Sequence, residues 1–215
     1  MKKLIIANIV TIALLAIIGI VGFHFYSEAT NFVKTDNAKV DGEQMKISSP
    51  TPGQVKSTEL EENKTFDKDD KVAEVMGQGK DGSPQKNEIK MPNKGTIVKS
   101  EAKEGSMVQA GKPFAYAYNL DDLYITANVD ENSIKDVEEG QDVDVTIDGQ
   151  KSTVNGEVKR VGKATASSFS LMPSSNSDGN YTKVSQVVPV KIELDSLPED
   201  HVVPGMNAEV RIHKN

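Results

Sequence analysis

Lys80, in the stretch GQGKDGSP, is the side chain of this 215-residue chain most plainly presented for chemistry. A lysine between glycines can carry a covalently attached cofactor, can sit in a phosphate-binding loop, or can simply ride on a turn. The phosphate loop is excluded by its own spacing. G-x-x-x-x-G-K-[ST] would need Gly at position 74 and Ser or Thr at position 81, where the chain has Glu74 and Asp81. Gly79, Gly82, Ser83 and Pro84 around it are turn chemistry.

Other reactive types are sparse. His24, His201 and His213 are scattered without H-E-x-x-H or H-x-x-x-H spacing, so they form no zinc motif; His24 falls at a membrane interface and the other two at strand ends on the surface. No G-x-S-x-G elbow supports a serine hydrolase. Asp142, Asp144 and Asp148 miss the D-x-[DN]-x-[DN]-G pattern of a calcium loop and read as acids on the outer face of a strand. Met91, Met107, Met172 and Met206 are dispersed, which favours core packing over a relay for soft metals. Cysteine is absent, which removes disulfides, thiolate metal sites, a cysteine nucleophile and a lipoprotein anchor. No catalytic, cofactor-binding or metal-binding residue is assigned.

The elements that carry these residues are small. With 5% aromatics and no Trp, a core must be built from Val, Ile, Leu and Ala, which favours compact β modules over one large enzyme core. A formal charge of -7 without a basic run excludes a nucleic-acid surface.

Residues 4–23, LIIANIVTIALLAIIGIVGF, carry no charge and as a helix span about 30 Å, the thickness of a bilayer core. Lys2 and Lys3 precede them, so the expected orientation leaves the N-terminus in the cytoplasm and the bulk of the chain outside. His24, Phe25 and Tyr26 would lie at the outer interface. A cleaved signal peptide ending near Ser27–Ala29 is the competing reading, but its apolar region would be shorter, about 7 to 15 residues.

Beyond the anchor the chain repeats itself. Residues 50–75, PTPGQVKSTELEENKTFDKDDKVAEV, align without a gap at an offset of 42 with residues 92–117, PNKGTIVKSEAKEGSMVQAGKPFAYA. Each half has a P-x-x-G turn and short strand pieces. Asn63 and Gly105 fall where a second turn needs positive φ. Neither half can bury its apolar face alone, so the two should close into a flattened sandwich with quasi-twofold symmetry.

These halves resemble the biotinyl/lipoyl-like domain, and the resemblance makes the lysine question specific. In carrier members the modified lysine lies on the hairpin joining the halves. Aligned on the biotin pattern, that position is Pro84, which cannot be modified; on the lipoyl pattern only Lys80 is available, one residue late and in a longer loop. A carrier protein modified on Lys80 is therefore kept as the alternative from another functional class, with a solvated turn preferred.

The flanks carry a wider resemblance. KTDNAKVDGEQMKISSPTPGQV (34–55), YNLDDLYITANVDENSIKDVEEGQDVDVTIDG (118–149), SFSLMPSSNSDGNYTKVSQVVPVKIELD (168–195) and VVPGMNAEVRI (202–212) resemble, in the family's order, HlyD-type membrane fusion proteins of the EmrA-like multidrug subgroup. The implied fold is mainly β: an N-terminal transmembrane helix, a biotinyl/lipoyl-like barrel-sandwich hybrid, and a small β-barrel with a short helix. The residues themselves agree. LYITANV and DVDVTI alternate, STVNGEVKRVG, TKVSQVVPVKIEL and NAEVRI supply further strands, and the loop SSFSLMPSSNSDGN separates two of them. Between the first two, Asp130 as N-cap, Ile134 and Val137 three apart, and Gly140 as the stop predict a short helix.

The organisation expected is a cytoplasmic tail at 1–3, an anchor at 4–26, a connecting segment and first strand at 27–43, the lipoyl-like domain at 44–118, and the membrane-proximal β-barrel at 119–215. A short loop, 76–91, replaces the long α-helical hairpin of typical members, since Gly77, Gly79, Gly82 and Pro84 break any helix there.

The resemblance implies a non-enzymatic efflux adaptor without cofactors, anchored in the cytoplasmic membrane by a single span. Its partner would be a transporter of the major facilitator type, with an ABC-type peptide or toxin exporter as the alternative. Assembly as a homo-oligomer is expected in the pump, and an outer-membrane channel is not.

Overall fold

The computed structural model describes residues 2–79, 83–150, 152–169, 185–197 and 202–214. Lys80, Met172 and His201, and most of the loop expected at 167–180, lie outside the described residues. The chain packs as two units, Met1–Val40 with Ile125–Asn215, and Asp41–Tyr124.

The first element is helix α1, Lys2–Asn31. Thirty residues rise about 45 Å. Its span Thr11–Glu28 is long and apolar enough to cross a membrane, and its large side chains from Ile12 to Tyr26 that are described stand exposed. The helix continues past the apolar run to Asn31 and passes directly into strand.

Fourteen strands follow in the described residues: β1 Phe32–Asp41, β2 Gln44–Ser48, β3 Gly53–Thr58, β4 Thr65–Phe66, β5 Lys71–Gln78, β6 Pro84–Lys90, β7 Gly95–Ser100, β8 Met107–Val108, β9 Pro113–Tyr118, β10 Tyr124–Asp130, β11 Asp142–Ile147, β12 Thr153–Val161, β13 Val187–Leu194 and β14 Asn207–His213.

In the first unit, six strands close a barrel in the order β1-β10-β13-β12-β11-β14, with β1 returning to β14. Closure follows from strict alternation. Ile125, Ala127 and Val129 of β10, Val143, Val145 and Ile147 of β11, and Ala208, Val210 and Ile212 of β14 are buried while their neighbours face out. The strand that follows α1 therefore completes the barrel, pairing Val33 with Ile212 and Lys34 with Arg211.

The helix predicted after Asp130 is a single 3-10 turn, Ile134–Asp136. Asp130 does not cap it; its carboxylate accepts the backbone N–H of Asn132 at 2.8 Å and closes an Asx turn. Two apolar residues three apart fit a 3-10 turn as well as an α-helix, and only Val137 becomes buried. The buried Gln141 then ties the segment down, accepting from the Glu138 N–H at 3.0 Å and donating to the Asp136 carbonyl.

In the second unit, two four-stranded sheets, β2-β9-β7-β4 and β6-β5-β3-β8, enclose a core that includes Val55, Val75, Ile97 and Ala117. The offset of 42 carries each strand onto its twin: β3 to β7, β4 to β8, and the start of β5 to that of β9. The short strands are exchanged, so β4 of the first half pairs with β7 and β8 pairs with β3 of the first half. Neither half is complete without the other.

The turns repeat too. Asn63 has φ 69° and Gly105 φ 82°; Asp69 has φ 69° and Gly111 φ 71°. The glycine of each P-x-x-G turn serves close approach instead: a Cβ on Gly53 would collide with the Met76 carbonyl, and one on Gly95 with the Met45 side chain. Met91 is buried as expected, but Met107 is 74% exposed. β8 has two residues and spends its inward position on Val108, which leaves Met107 facing out.

Candidate functional site

The stretch around Lys80 is mostly strand. β5 and β6 form a hairpin in which Gly77 faces Gln85 and Gln78 faces Pro84, and the Gly79 N–H donates to the Ser83 carbonyl at 2.8 Å. Within the loop expected over 76–91, residues 76–78 and 84–90 are strand instead. β6 did not read as a strand because it lies at a sheet edge, where only Ile89 is buried.

An ordered cluster of charge joins the C-terminal end of α1 to the barrel. Glu28 accepts from Lys34 Nζ at 2.8 Å on β1, and Arg211 of β14 approaches the same carboxylate oxygen at 3.5 Å. The Arg211 guanidinium lies 4.5 Å from the centroid of the Phe32 ring, and His213 meets that ring edge-on at 4.8 Å. His213 Nε2 stands 3.1 Å from Asp144 Oδ2 on β11, Lys214 Nζ stands 3.1 Å from Asp136, and the Lys214 N–H donates to the Asn31 carbonyl at 2.8 Å. The first barrel strand is thereby held to the last at the residue where the apolar helix ends. This is what a membrane anchor needs if it is to orient a folded module.

The sequence did not reveal this cluster. Glu28 and Arg211 are 183 positions apart, and the sole local sign is that charge resumes at Glu28 after the apolar run. His213, expected at a strand end, lies at the end of β14 but is engaged on two sides.

Beside it, Asp142, Asp144, Glu157, Asp195, Asn155 and His213 line an acidic groove of about 320 Å³ on the barrel wall. Asp142 and Asp144 do point outward from β11. Among the described residues, no three His, Cys, Asp or Glu side chains converge as a metal would require.

The sandwich unit carries its charges as a surface ladder. Lys71 bridges Glu74 at 3.0 Å and Glu88 at 3.1 Å, and Lys86 reaches Glu74 at 3.2 Å. The hydrogen bond from Lys71 holds the Glu74 carboxyl below the usual carboxylate range, and those to Glu74 and Glu88 hold the Lys71 ammonium above the usual lysine value. Such pairs fix side chains on the surface.

Four likenesses to known proteins accompany this geometry. Residues 122–213 match the family model of the AAEA-like beta-barrel domain. The chain is 46% identical over 211 residues to a Bacillus subtilis protein named "Putative efflux system component YhbJ", covering 98% of this chain and 92% of that one. It is 31% identical over 113 residues to the multidrug export protein EmrA of Escherichia coli, covering 52% of this chain but 29% of EmrA. In three dimensions it resembles the periplasmic adaptor protein EmrA with a TM-score of 0.53 at 11% identity, over 86% of this chain and 99% of that one, a likeness of fold alone.

Proposed function

Because the chain belongs to the EmrA-like membrane fusion proteins, in a form lacking the long α-helical hairpin, we propose that it is the membrane-anchored adaptor of an efflux pump and docks on a multidrug transporter of the cytoplasmic membrane. The observation that carries this reading is the near-full-length match, at 46% identity, to a protein named as an efflux system component.

The partner is a transporter of the major facilitator class, and the energy for export is the transporter's own. The adaptor does no chemistry; its part is to assemble around the exit as several copies. Lys2 and Lys3 hold the N-terminus in the cytoplasm, which puts barrel and sandwich outside. The charged cluster at Glu28, Lys34 and Arg211 supports this assignment, since it ties the helix end to a barrel strand. With β6 in place of a long hairpin, the adaptor needs no outer-membrane channel.

Co-purification from membranes at native expression, combined with deletion of the gene, tests the proposal. A transporter of the major facilitator class should be recovered with the tagged chain, and deletion should lower the minimal inhibitory concentration of exported drugs. An ABC exporter in its place would reassign the partner. Unchanged resistance with no transporter recovered would remove the function.

A further inference from the structure

Arg211 is held in place at the junction of α1 and the barrel but is poorly satisfied there. A guanidinium carries five N–H donors. Its Nε is buried and has no hydrogen-bond partner among the described residues. Its ion pair, from Nη2 to Glu28 Oε1, is long at 3.5 Å, and that oxygen already accepts from Lys34 Nζ at 2.8 Å. Asp144, opposite Arg211 on β11, gives its Oδ2 to His213 Nε2 at 3.1 Å instead. The Phe32 ring, 4.5 Å away, orients the guanidinium without satisfying it. Arg211 stays 36% exposed, and Lys34 beside it 39%.

The level of this pair in a bilayer follows from the helix. Tyr26, 69% exposed, is a ring of the kind that sits at a membrane interface. Glu28, the last residue of the span Thr11–Glu28, lies about 3 Å further along the axis. The headgroup layer beyond the hydrocarbon is about 6 Å deep on each side. Glu28 therefore stands among the headgroups, and its contacts bring Lys34 and Arg211 to the same level. These two face each other across β1 and β14, with both side chains outward. The acidic groove lies beyond β14, over β11 and β12, which confines an incoming anion to the β1 side.

We propose that Lys34 and Arg211 form a docking site for the phosphate of an anionic phospholipid in the leaflet next to the barrel, taken up beside Glu28 where α1 leaves the membrane. The inference rests on the membrane-anchored reading above. A phosphate offers several anionic oxygens and bonds a guanidinium fork and an ammonium together, which one shared carboxylate oxygen does not. A zwitterionic headgroup brings its own cation to the same place and is disfavoured. Bound lipid ties β1 and β14 to the headgroup plane and so orients the barrel on the membrane.

The chain has two arginines, Arg160 and Arg211. Labelling the full chain with 15N-arginine in lipid nanodiscs therefore gives one signal at the site and one control on the exposed wall of β12. Replacing phosphatidylcholine stepwise by phosphatidylglycerol should shift the Arg211 Nε–H signal saturably and leave that of Arg160 fixed. In mixed discs, Arg211→Gln should lower the retention of phosphatidylglycerol, counted by native mass spectrometry, about fivefold. Lys39→Gln removes the same charge about 17 Å along β1 from Lys34 and should leave retention unchanged. Glu28→Gln separates binding from structure: it loosens the junction but removes a competing carboxylate, so it should raise retention. An unmoved Arg211 signal, equal losses for Arg211→Gln and Lys39→Gln, or a loss with Glu28→Gln overturns the proposal. A matching shift from inorganic phosphate in phosphatidylcholine discs also overturns it, by assigning a soluble anion. A chain that fails to enter the discs at all would overturn the anchored reading, and this site with it.

Discussion

Asn63 donates its backbone N–H to the carbonyl of Ile97 at 2.8 Å, and 42 residues on Gly105 donates to the carbonyl of Val55 at the same distance. Each half of the sandwich therefore places its positive-φ turn against the central strand of the other half. Turn geometry and interlocking of the halves are one feature.

A substitution that spoils one turn should loosen both halves. Gly105 has open space around it, so Gly105→Ala meets only the strain of φ 82° and should cost about 1–2 kcal/mol. Asn63→Gly should be neutral or slightly stabilising. Gly53→Ala should be worse than either, because the new Cβ runs into the Met76 backbone carbonyl, which cannot rotate away. Thermal unfolding of the three variants, followed by circular dichroism, should rank them Asn63→Gly, Gly105→Ala and Gly53→Ala from most to least stable.

The extent of this repeat that could be read from sequence has a physical basis. Buried pairs such as Val55 and Ile97 or Phe66 and Val108 retain their character at equivalent positions because both face one core. β2 and β6 were missed as twins, since at sheet edges only Ile47 and Ile89 keep a common inward role while Met45 answers to Asn87. The barrel was legible strand by strand through alternation, whereas the pairing of Lys34 with Arg211 depends on closure of β1 against β14, which no local pattern encodes. The candidate junction was illegible for the same reason.

The ladder on the sandwich predicts a pH response at both ends. Glu74 has a folded pKa below its ordinary value of 4.5, so its contribution is present above 4.5 and is lost as pH falls through the lowered value. Lys71 has a folded pKa above 10.5, so its contribution is present below 10.5 and lost as pH rises through the raised value. Glu74→Gln should flatten the melting temperature against pH on the acid side below about 4.5, where the wild type declines more steeply. A difference appearing only near neutral pH would contradict this assignment.

At the junction, Glu28 answers to both Lys34 and Arg211, but these side chains are 30 to 39% exposed. Glu28→Gln should therefore cost at most about 1 kcal/mol of global stability. Its local effect should be larger: faster hydrogen exchange at residues 28–34, and a loss of drug resistance on complementation out of proportion to any fall in protein level. The charge reversal Glu28→Lys, which sets like charges together, should do more of both. Full resistance with Glu28→Lys would show that the helix end need not be held to the barrel for export.

Lys80 offers the sharpest division between an adaptor and a carrier. A carrier would bear lipoate or biotin on this lysine, adding a fixed mass to the intact chain. An adaptor needs nothing there, since β5 and β6 already pair through Gln78 and Pro84 on either side. The purified chain should therefore have the mass of its unmodified sequence. Lys80→Ala should change that mass by the substitution alone and leave complementation of drug resistance within about twofold of wild type, the ordinary latitude of a substitution away from a core. A cofactor-sized increment on the wild type that vanishes in Lys80→Ala would reverse the assignment, because it would make the turn the working part and the interlocked halves its support.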